Sequence, residues 1–371
     1  MNQTRFLTRL TQIDALQNLP ARERQKMLQV EERYAFRSNA YYNALIDWDD
    51  PKDPIRRIVI PDQDELQQWG HLDASGEHKY AKVPGLEHKY GDTALLLVSD
   101  VCGAFCRFCF RKRLFLSGNK EVSRDVSQGL AYIRKHPEIN NVLLTGGDPL
   151  LLSTPKLSEI IRQLRGIEHV RIIRIGSKMP AFNPYRFLDD PELLDMLRTY
   201  SLPERRIYLM AHFNHPRELT REAVRALTLV QKSGVCVMNQ TPLIRGVNDD
   251  PEILSELFNR LSYMGVAPYY VFQCRPTKGN AAYTVPVEEG YGIFAAAISN
   301  CSGLARRCRY AMSHATGKVE VVGLTEEQVF FRYHRPADPD QSPGEVIACE
   351  RNPEGYWLDD YPENQSDRAC A

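Results

Sequence analysis

Three cysteines fall within eight residues, Cys102, Cys106 and Cys109, in a loop that also carries Phe105, Arg107 and Phe108. The C-x3-C-x2-C spacing offers three thiolates to one face of a short loop. That suits a [4Fe–4S] cube, which ordinarily takes four Cys ligands. One iron is then left without a protein ligand and is open to a second molecule. Zinc ribbons instead close a tetrahedron with paired C-x2-C knuckles, and this chain has no second knuckle. Three unrelated buried thiols are the bland alternative, but Cys is rare enough that such clustering is not expected by chance.

A second set of reactive residues is Thr145, Gly146, Gly147 and Asp148. Two glycines let backbone approach a ligand closely, and the carboxylate can accept from an ammonium group. His212 and His215 suggest a metal at first sight. With no third ligand nearby, hydrogen bonding to a cofactor or fixing of the loop is the better reading.

These residues need elements to hold them. The runs 94–99, 141–145, 170–175, 206–211, 235–239 and 269–273 are short and β-branched or Leu-rich, which predicts buried parallel strands. Amphipathic stretches at 125–136, 155–164, 191–197, 220–232 and 251–264 predict the intervening helices, several opening on Ser, Thr or Asp caps. Six consecutive βα units predict an α/β fold, a partial (β/α)6 TIM-like barrel over residues 93–312. Chemistry in such barrels gathers where strands end, and both motifs above fall there. Residues 1–92 read as an N-terminal helical, then irregular, extension, because Pro follows Asp repeatedly near 48–55. Residues 313–371 read as a C-terminal hairpin (319–322 with 329–333) and a Pro/Asp-rich tail. The run 308–312 is also strand-like.

Lys+Arg and Asp+Glu both number 47 in the 371 residues, so nothing in the charge balance calls for nucleic acid or an acidic membrane. No signal peptide is evident, and no run approaches the roughly 18 apolar residues of a membrane span, which predicts a cytoplasmic protein. The six remaining cysteines, Cys236, Cys274, Cys301, Cys308, Cys349 and Cys370, are scattered without a disulfide framework, as a reducing compartment would favour.

With Phe108 just before its last cysteine, the loop resembles that of the radical S-adenosylmethionine (SAM) enzymes. The ordered motifs at 45–56, 83–90, 102–113, 144–148, 174–177, 212–216, 239–240, 245–249 and 268–274 together resemble the lysine 2,3-aminomutase family, across roughly residues 36–300. The resemblance implies an enzyme that moves an amino group between adjacent carbons of a small amino acid. Its cofactors would be the cluster, SAM and pyridoxal 5′-phosphate (PLP), and its partner a flavodoxin- or ferredoxin-type electron donor. One electron would split SAM to a 5′-deoxyadenosyl radical, which takes hydrogen from the substrate β-carbon while an imine to PLP carries the nitrogen.

By the same resemblance Gly146, Gly147 and Asp148 hold the SAM amino group, with Ser177, His212 and Gln240 along SAM. Arg111 clamps the substrate α-carboxylate, and Lys89 and Tyr90 grip the PLP phosphate. Three departures stand out. Thr93 occupies a position where the family places another phosphate-binding Arg. The glycine-rich run that carries the family's Schiff-base lysine is missing, and Lys318 is the candidate for that catalytic role. A competing alignment makes 318–322 simply the start of the later hairpin. Finally, Arg275 stands where lysine-specific members place an ammonium-binding Asp, which predicts an acidic or otherwise non-cationic substrate such as glutamate. A purely structural Arg275 would instead pair with an internal acid such as Glu288 or Glu289. Some relatives bind zinc through a Cys where this chain has Asp250, so no such zinc is expected. The polar N-terminal region offers a surface for homodimer contacts. Two other functions compete: a PLP-independent radical SAM enzyme that abstracts hydrogen, and a non-catalytic Fe–S redox sensor.

Overall fold

Leu- and Ile-rich strands alternate with amphipathic helices from Thr93 onward in the computed structural model, which describes residues 9–361 apart from Gln17, Ser117 and Arg124. Cys370 lies outside the described residues. Twelve strands form one sheet, lying in chain order from one edge to the other, and Arg9–Leu10 pairs with Ser38–Asn39 in a separate two-stranded sheet. At one edge β1 (Ala81–Val83) runs antiparallel to β2 (Leu86–Tyr90), which in turn runs antiparallel to the first strand of the parallel centre. The parallel centre follows: β3 (Thr93–Ser99), β4 (Asn141–Gly146), β5 (Ile172–Ser177), β6 (Ile207–Ala211), β7 (Cys236–Pro242) and β8 (Ala267–Phe272). These are the six strands read from the sequence. A seventh parallel strand, β9 (Arg309–His314), follows them, and β10 (Gly317–Leu324), β11 (Gln328–Pro336) and β12 (Val346–Glu350) complete the far edge as an antiparallel meander.

Alternation along each central strand sorts the side chains into two sets. Leu143, Thr145, Arg174, Gln240, Tyr270 and Phe272 face the lumen. Their neighbours Val142, Leu144, Ile173, Ile175, Val237 and Val271 join the core beneath the helices. The helices present matching stripes: Leu157, Ile160, Ile161 and Leu164 on α1 (Thr154–Arg165), Ala223, Ala226, Leu227 and Val230 on α2 (Arg221–Lys232), and Leu254, Leu257, Phe258 and Leu261 on α3 (Pro251–Tyr263). The i, i+3, i+4, i+7 spacing puts each set on one helix face. Thr220 caps α2 by accepting from Ala223 N, and Asp250 caps α3.

The N-terminal extension is more ordered than its prolines suggested. Pro54 opens a helix, Pro54–Val59, instead of preventing one: it occupies the first turn, where its missing N–H costs nothing, and Asp53 accepts from Arg56 N. The extension also supplies β1 and β2, so the sheet begins before residue 93. Ile13, Leu16, Met27, Tyr42, Ile55 and Ile58 form a second core with Ala104, Phe108 and Phe182, which clamps the cysteine loop against the barrel mouth. Among the described residues no helix is long and apolar enough to cross a membrane.

Candidate active site

The lumen holds a cavity of about 400 Å³ that reaches from the cysteine loop, at the C-terminal end of β3, to Thr93 at its N-terminal end. Cys102, Cys106 and Cys109 all line it. Their sulfurs do not all lie within 4.8 Å of one another. Thiolates on one zinc ion, each about 2.3 Å from the metal, stand no further apart than about 4.6 Å. The wider spacing fits a polynuclear cluster. Burial pushes the Cys106 thiol up to about 12 and raises Cys102 and Cys109 too; neighbouring acids and thiols add to the rise at Cys102 and Cys106, while Arg111, Lys112 and Arg113 temper it at Cys109. Iron in place of protons removes that penalty.

Arg107, between the cysteines, is fully buried. Its Nε and Nη2 donate to the two oxygens of Glu65 at 2.8 and 2.9 Å, and its Nη1 to the Ala35 carbonyl at 3.0 Å. Lys112 joins the same carboxylate at 3.0 Å. Burial alone would raise Glu65, but the two cations outweigh it and hold its carboxyl below the usual range. The Arg111-Lys112-Arg113 run is buried throughout.

At the end of β4 the Gly-Gly turn passes against the cysteine loop. A Cβ on Gly147 would sit 2.2 Å from the Val101 carbonyl oxygen, so only glycine fits. Asp148 then accepts from backbone and side-chain donors: Leu150 N at 3.0 Å, Ser177 Oγ at 2.9 Å and Lys178 N at 2.9 Å. Burial outweighs these bonds and raises its carboxyl to about 6. Gly146, Ser177, His212 and Gln240 line the same wall. Burial, then Lys178 and Arg111, depress His212 to about 4, so its ring is neutral at physiological pH. His215 turns away from this set and caps the next turn, its Nδ1 accepting from Arg217 N.

Facing that wall, Glu77 gathers three guanidinium groups. Arg111 and Arg275 each reach its Oε1 at 3.2 Å, and Arg113 reaches Oε2 at 2.7 Å. Arg111 also donates to Thr145 Oγ1 at 2.8 Å. Arg275 lies flat on the Phe110 ring, 3.7 Å from its centre. Its internal partner is therefore Glu77, while Glu288 and Glu289 are engaged by Arg351 and Arg245. Burial works against ionised Glu77, but the guanidiniums hold it well below the carboxylate range. Glu87 next to it is raised to about 7 by burial and by the charge of Glu77.

Toward the N-terminal end of β3, Lys318 starts β10, as the competing alignment would have it, and still turns its Nζ into the cavity. It rests 4.4 and 5.0 Å from the ring centres of Tyr270 and Phe272. Gly317 before it has φ +151°, and a Cβ there would meet the Arg335 carbonyl oxygen at 2.5 Å, so the hairpin can pinch only at glycine. Burial, then Arg174, Arg275 and Lys89, depress Lys318 to about 7. Lys89 and Tyr90 line the same end, Lys89 donating to the His314 carbonyl and depressed to about 8 by burial and Arg275. An amine free to react, cations and a phenol thus sit together, which fits an aldehyde cofactor bearing a phosphate.

Glu77, Glu87, Arg174, Lys178 and Arg335 also line this cavity and were not singled out from sequence. The two acids lie in the extension, Glu87 inside the 83–90 run but with no role read for it, and only folding reveals their partners. Elsewhere, among the described residues, His88, His136 and Glu138 bring ligand atoms within 4.8 Å of one another. Both His88 ring nitrogens are already bonded there, to Tyr132 and Gly91.

Residues 96–257 match the family model "Radical SAM superfamily". With three cysteines at a barrel mouth beside a Gly-Gly-Asp turn, that defines the class as a radical SAM enzyme. The chain is 60% identical over 349 residues to "Putative L-lysine 2,3-aminomutase" of Aquifex aeolicus, covering 94% of this chain and 93% of that relative. It is 40% identical to "L-lysine 2,3-aminomutase" of Clostridium subterminale, over 71% of this chain and 62% of the relative. It is 32% identical to "Glutamate 2,3-aminomutase" of Clostridioides difficile, over 80% and 70%. The chain belongs to the lysine 2,3-aminomutase family of radical SAM enzymes, isomerases that use a [4Fe–4S] cluster, SAM and PLP.

Proposed function

We propose that this enzyme shifts the amino group of a non-cationic amino acid, with a short dicarboxylate such as glutamate as the best fit. The observation that carries the reading is that Arg111 and Arg275 meet at one oxygen of Glu77, 3.2 Å from each. Two guanidiniums so close can be bridged by the two carboxylates of one small molecule. Glu77 is their shared ionised partner and Glu87, raised to about 7, adds only part of a second negative charge, so with Arg113 the pocket keeps a positive surplus. An ammonium group placed there would be repelled, by several kcal/mol at about 4 Å if water is excluded. The relatives' printed names divide between lysine and glutamate, and Arg275 favours the acid.

When bound, the cluster and SAM supply a carbon radical able to take a substrate hydrogen, and PLP supplies a π-system for the migrating nitrogen. The three cysteines would hold the cluster by their thiolates. Asp148 would accept from the SAM amino group with the lone pairs left by Ser177 and Lys178, while neutral His212 and Gln240 flank SAM. Lys318 would offer its amine to PLP, with Lys89 and Tyr90 toward the phosphate. Leu143, Met210 and Phe272 wall the lumen with apolar surface that excludes water from a reactive centre.

The test is anaerobic turnover of the reconstituted enzyme against a panel of amino acids, read by mass spectrometry. L-glutamate should be isomerised with kcat/KM at least about tenfold above L-lysine, and Arg275→Asp should narrow or reverse that ratio. Robust turnover of L-lysine by the unaltered enzyme would discard the substrate assignment. Formation of 5′-deoxyadenosine without any PLP-dependent product would favour the PLP-independent reading.

A further inference from the structure

The foot of the cavity is closed by residues from opposite ends of the sheet. Lys318 on β10 and Arg335 on β11 are register partners, so their side chains leave adjacent backbone positions, and both line the cavity. Arg335 reaches across the lumen to the start of β3. Its Nη2 donates to Thr93 Oγ1 at 3.2 Å, its guanidinium carbon lies 4.4 Å from the Tyr90 ring centre, and it pairs with Asp92.

We propose that Arg335 is a ligand of the PLP phosphate, with the hydroxyls of Tyr90 and Thr93 beside it. The assignment rests on the reading that PLP attaches to Lys318, because it is the register pairing with that lysine that sets Arg335 near the cofactor. A phosphate monoester is close to a dianion at neutral pH and is bound well by the paired N–H groups of a guanidinium. Arg335 has five such donors. One edge can keep Thr93 and Asp92 while the other faces the phosphate oxygens. Asp92 is half exposed, which makes it a screened and weak competitor for that charge. Lys89, the other cation at this end, is held by the His314 carbonyl and is coupled electrostatically to Arg275, Glu77 and Glu87 on the substrate side. Thr93 itself carries no charge. The C-terminal hairpin thus delivers to that position the cation that the first strand lacks.

The test compares PLP with pyridoxal, the same aldehyde without the phosphate, by titrating the visible absorbance each acquires on joining a lysine of the cluster-loaded enzyme. Arg335→Gln should weaken PLP at least about tenfold and leave pyridoxal unchanged, because only the phosphate loses a charged partner. Arg335→Lys should recover part of the loss. An unchanged ratio of PLP to pyridoxal affinity in Arg335→Gln, or equal weakening of both, would overturn the role of Arg335 while leaving Lys318 in place. Absence of the band in the unaltered enzyme, or its persistence in Lys318→Ala, would overturn the attachment to Lys318 and this inference with it.

Discussion

A lysine amine attacks an aldehyde only when unprotonated, and an ordinary lysine is almost wholly charged at pH 7. Lys318, depressed to about 7 by burial and by Arg174, Arg275 and Lys89, is about half neutral there. The rate at which the enzyme captures PLP should therefore climb between pH 6 and pH 8 and then level, as stopped-flow absorbance would record. A rise continuing to about pH 10 would mean an unperturbed lysine. Glu87 offers a second test. Its folded pKa, about 7, lies above the unfolded carboxylate value. Such a group contributes stability that is present below the unfolded pKa and is lost as pH rises through the folded one. Glu87→Gln does not titrate, so its stability relative to the unaltered protein should improve from about pH 4 to about pH 7, by about 3 kcal/mol, and level off above. Denaturant unfolding across that range measures it; a constant difference would remove the assigned shift. Glu87 also shows what sequence hides. The cysteines, Asp148 and Arg111 stand in or beside recognisable runs, whereas nothing in the residue order marks Glu77, or Glu87 within its 83–90 run, as part of the site; their meaning comes from guanidiniums brought to Glu77 from residues 111, 113 and 275 and to Glu87 from residue 111.

The cysteine loop keeps its shape through neighbours on other elements. Arg107 and Lys112 bind Glu65, a residue of the N-terminal extension with no exposed surface. Removing one member of a buried ion pair leaves the other uncompensated and costs about 3–5 kcal/mol. Glu65→Gln should therefore lower the melting temperature and reduce the iron retained per chain, although the residue touches no cysteine. Full iron loading with an unchanged melt would show that the loop does not depend on this anchor. The Gly-Gly turn meets the loop from the other side. Gly147→Ala forces a methyl group onto the Val101 backbone, and two hydrogen bonds run alongside, Gly147 N to Ser99 O at 2.6 Å and Asp148 N to Val101 O at 2.7 Å. The strand and loop must part to admit it, so SAM affinity measured by calorimetry should fall by about tenfold or more. The six central strands and their helices were legible because a period of two or of 3.6 is written directly into the residue order. The strands at 81–90 were not. They are short, and Glu87, His88 and Lys89 break the apolar pattern because two of them face a polar cavity, so a functional surface erased the signal of the element that carries it.

At the scale of the molecule, the sheet begins in the extension, passes through the barrel, and returns in the hairpin to close on its own start, with Arg335 of β11 against Asp92 and Thr93 at the head of β3. Residues 65–148 supply the three cysteines and the Gly-Gly-Asp turn at one end of the cavity, while at the other end Lys318 and Arg335 of the hairpin join Lys89, Tyr90 and Thr93. A ligand that binds only the folded state stabilises it by RT ln(1 + [L]/Kd), about 2.7 kcal/mol at one hundred times Kd. PLP at that excess should raise the melting temperature of the cluster-loaded enzyme and slow amide exchange in β10 and β11. In Lys318→Ala both effects should vanish, while the stabilisation gained from cluster reconstitution persists undiminished. That separation follows from the geometry, since Lys318 rests on Tyr270 and Phe272 at the end of the cavity away from the cysteines. If Lys318→Ala instead abolished cluster retention, the two ends would be one cooperative unit, and the hairpin would be part of the scaffold that holds the iron.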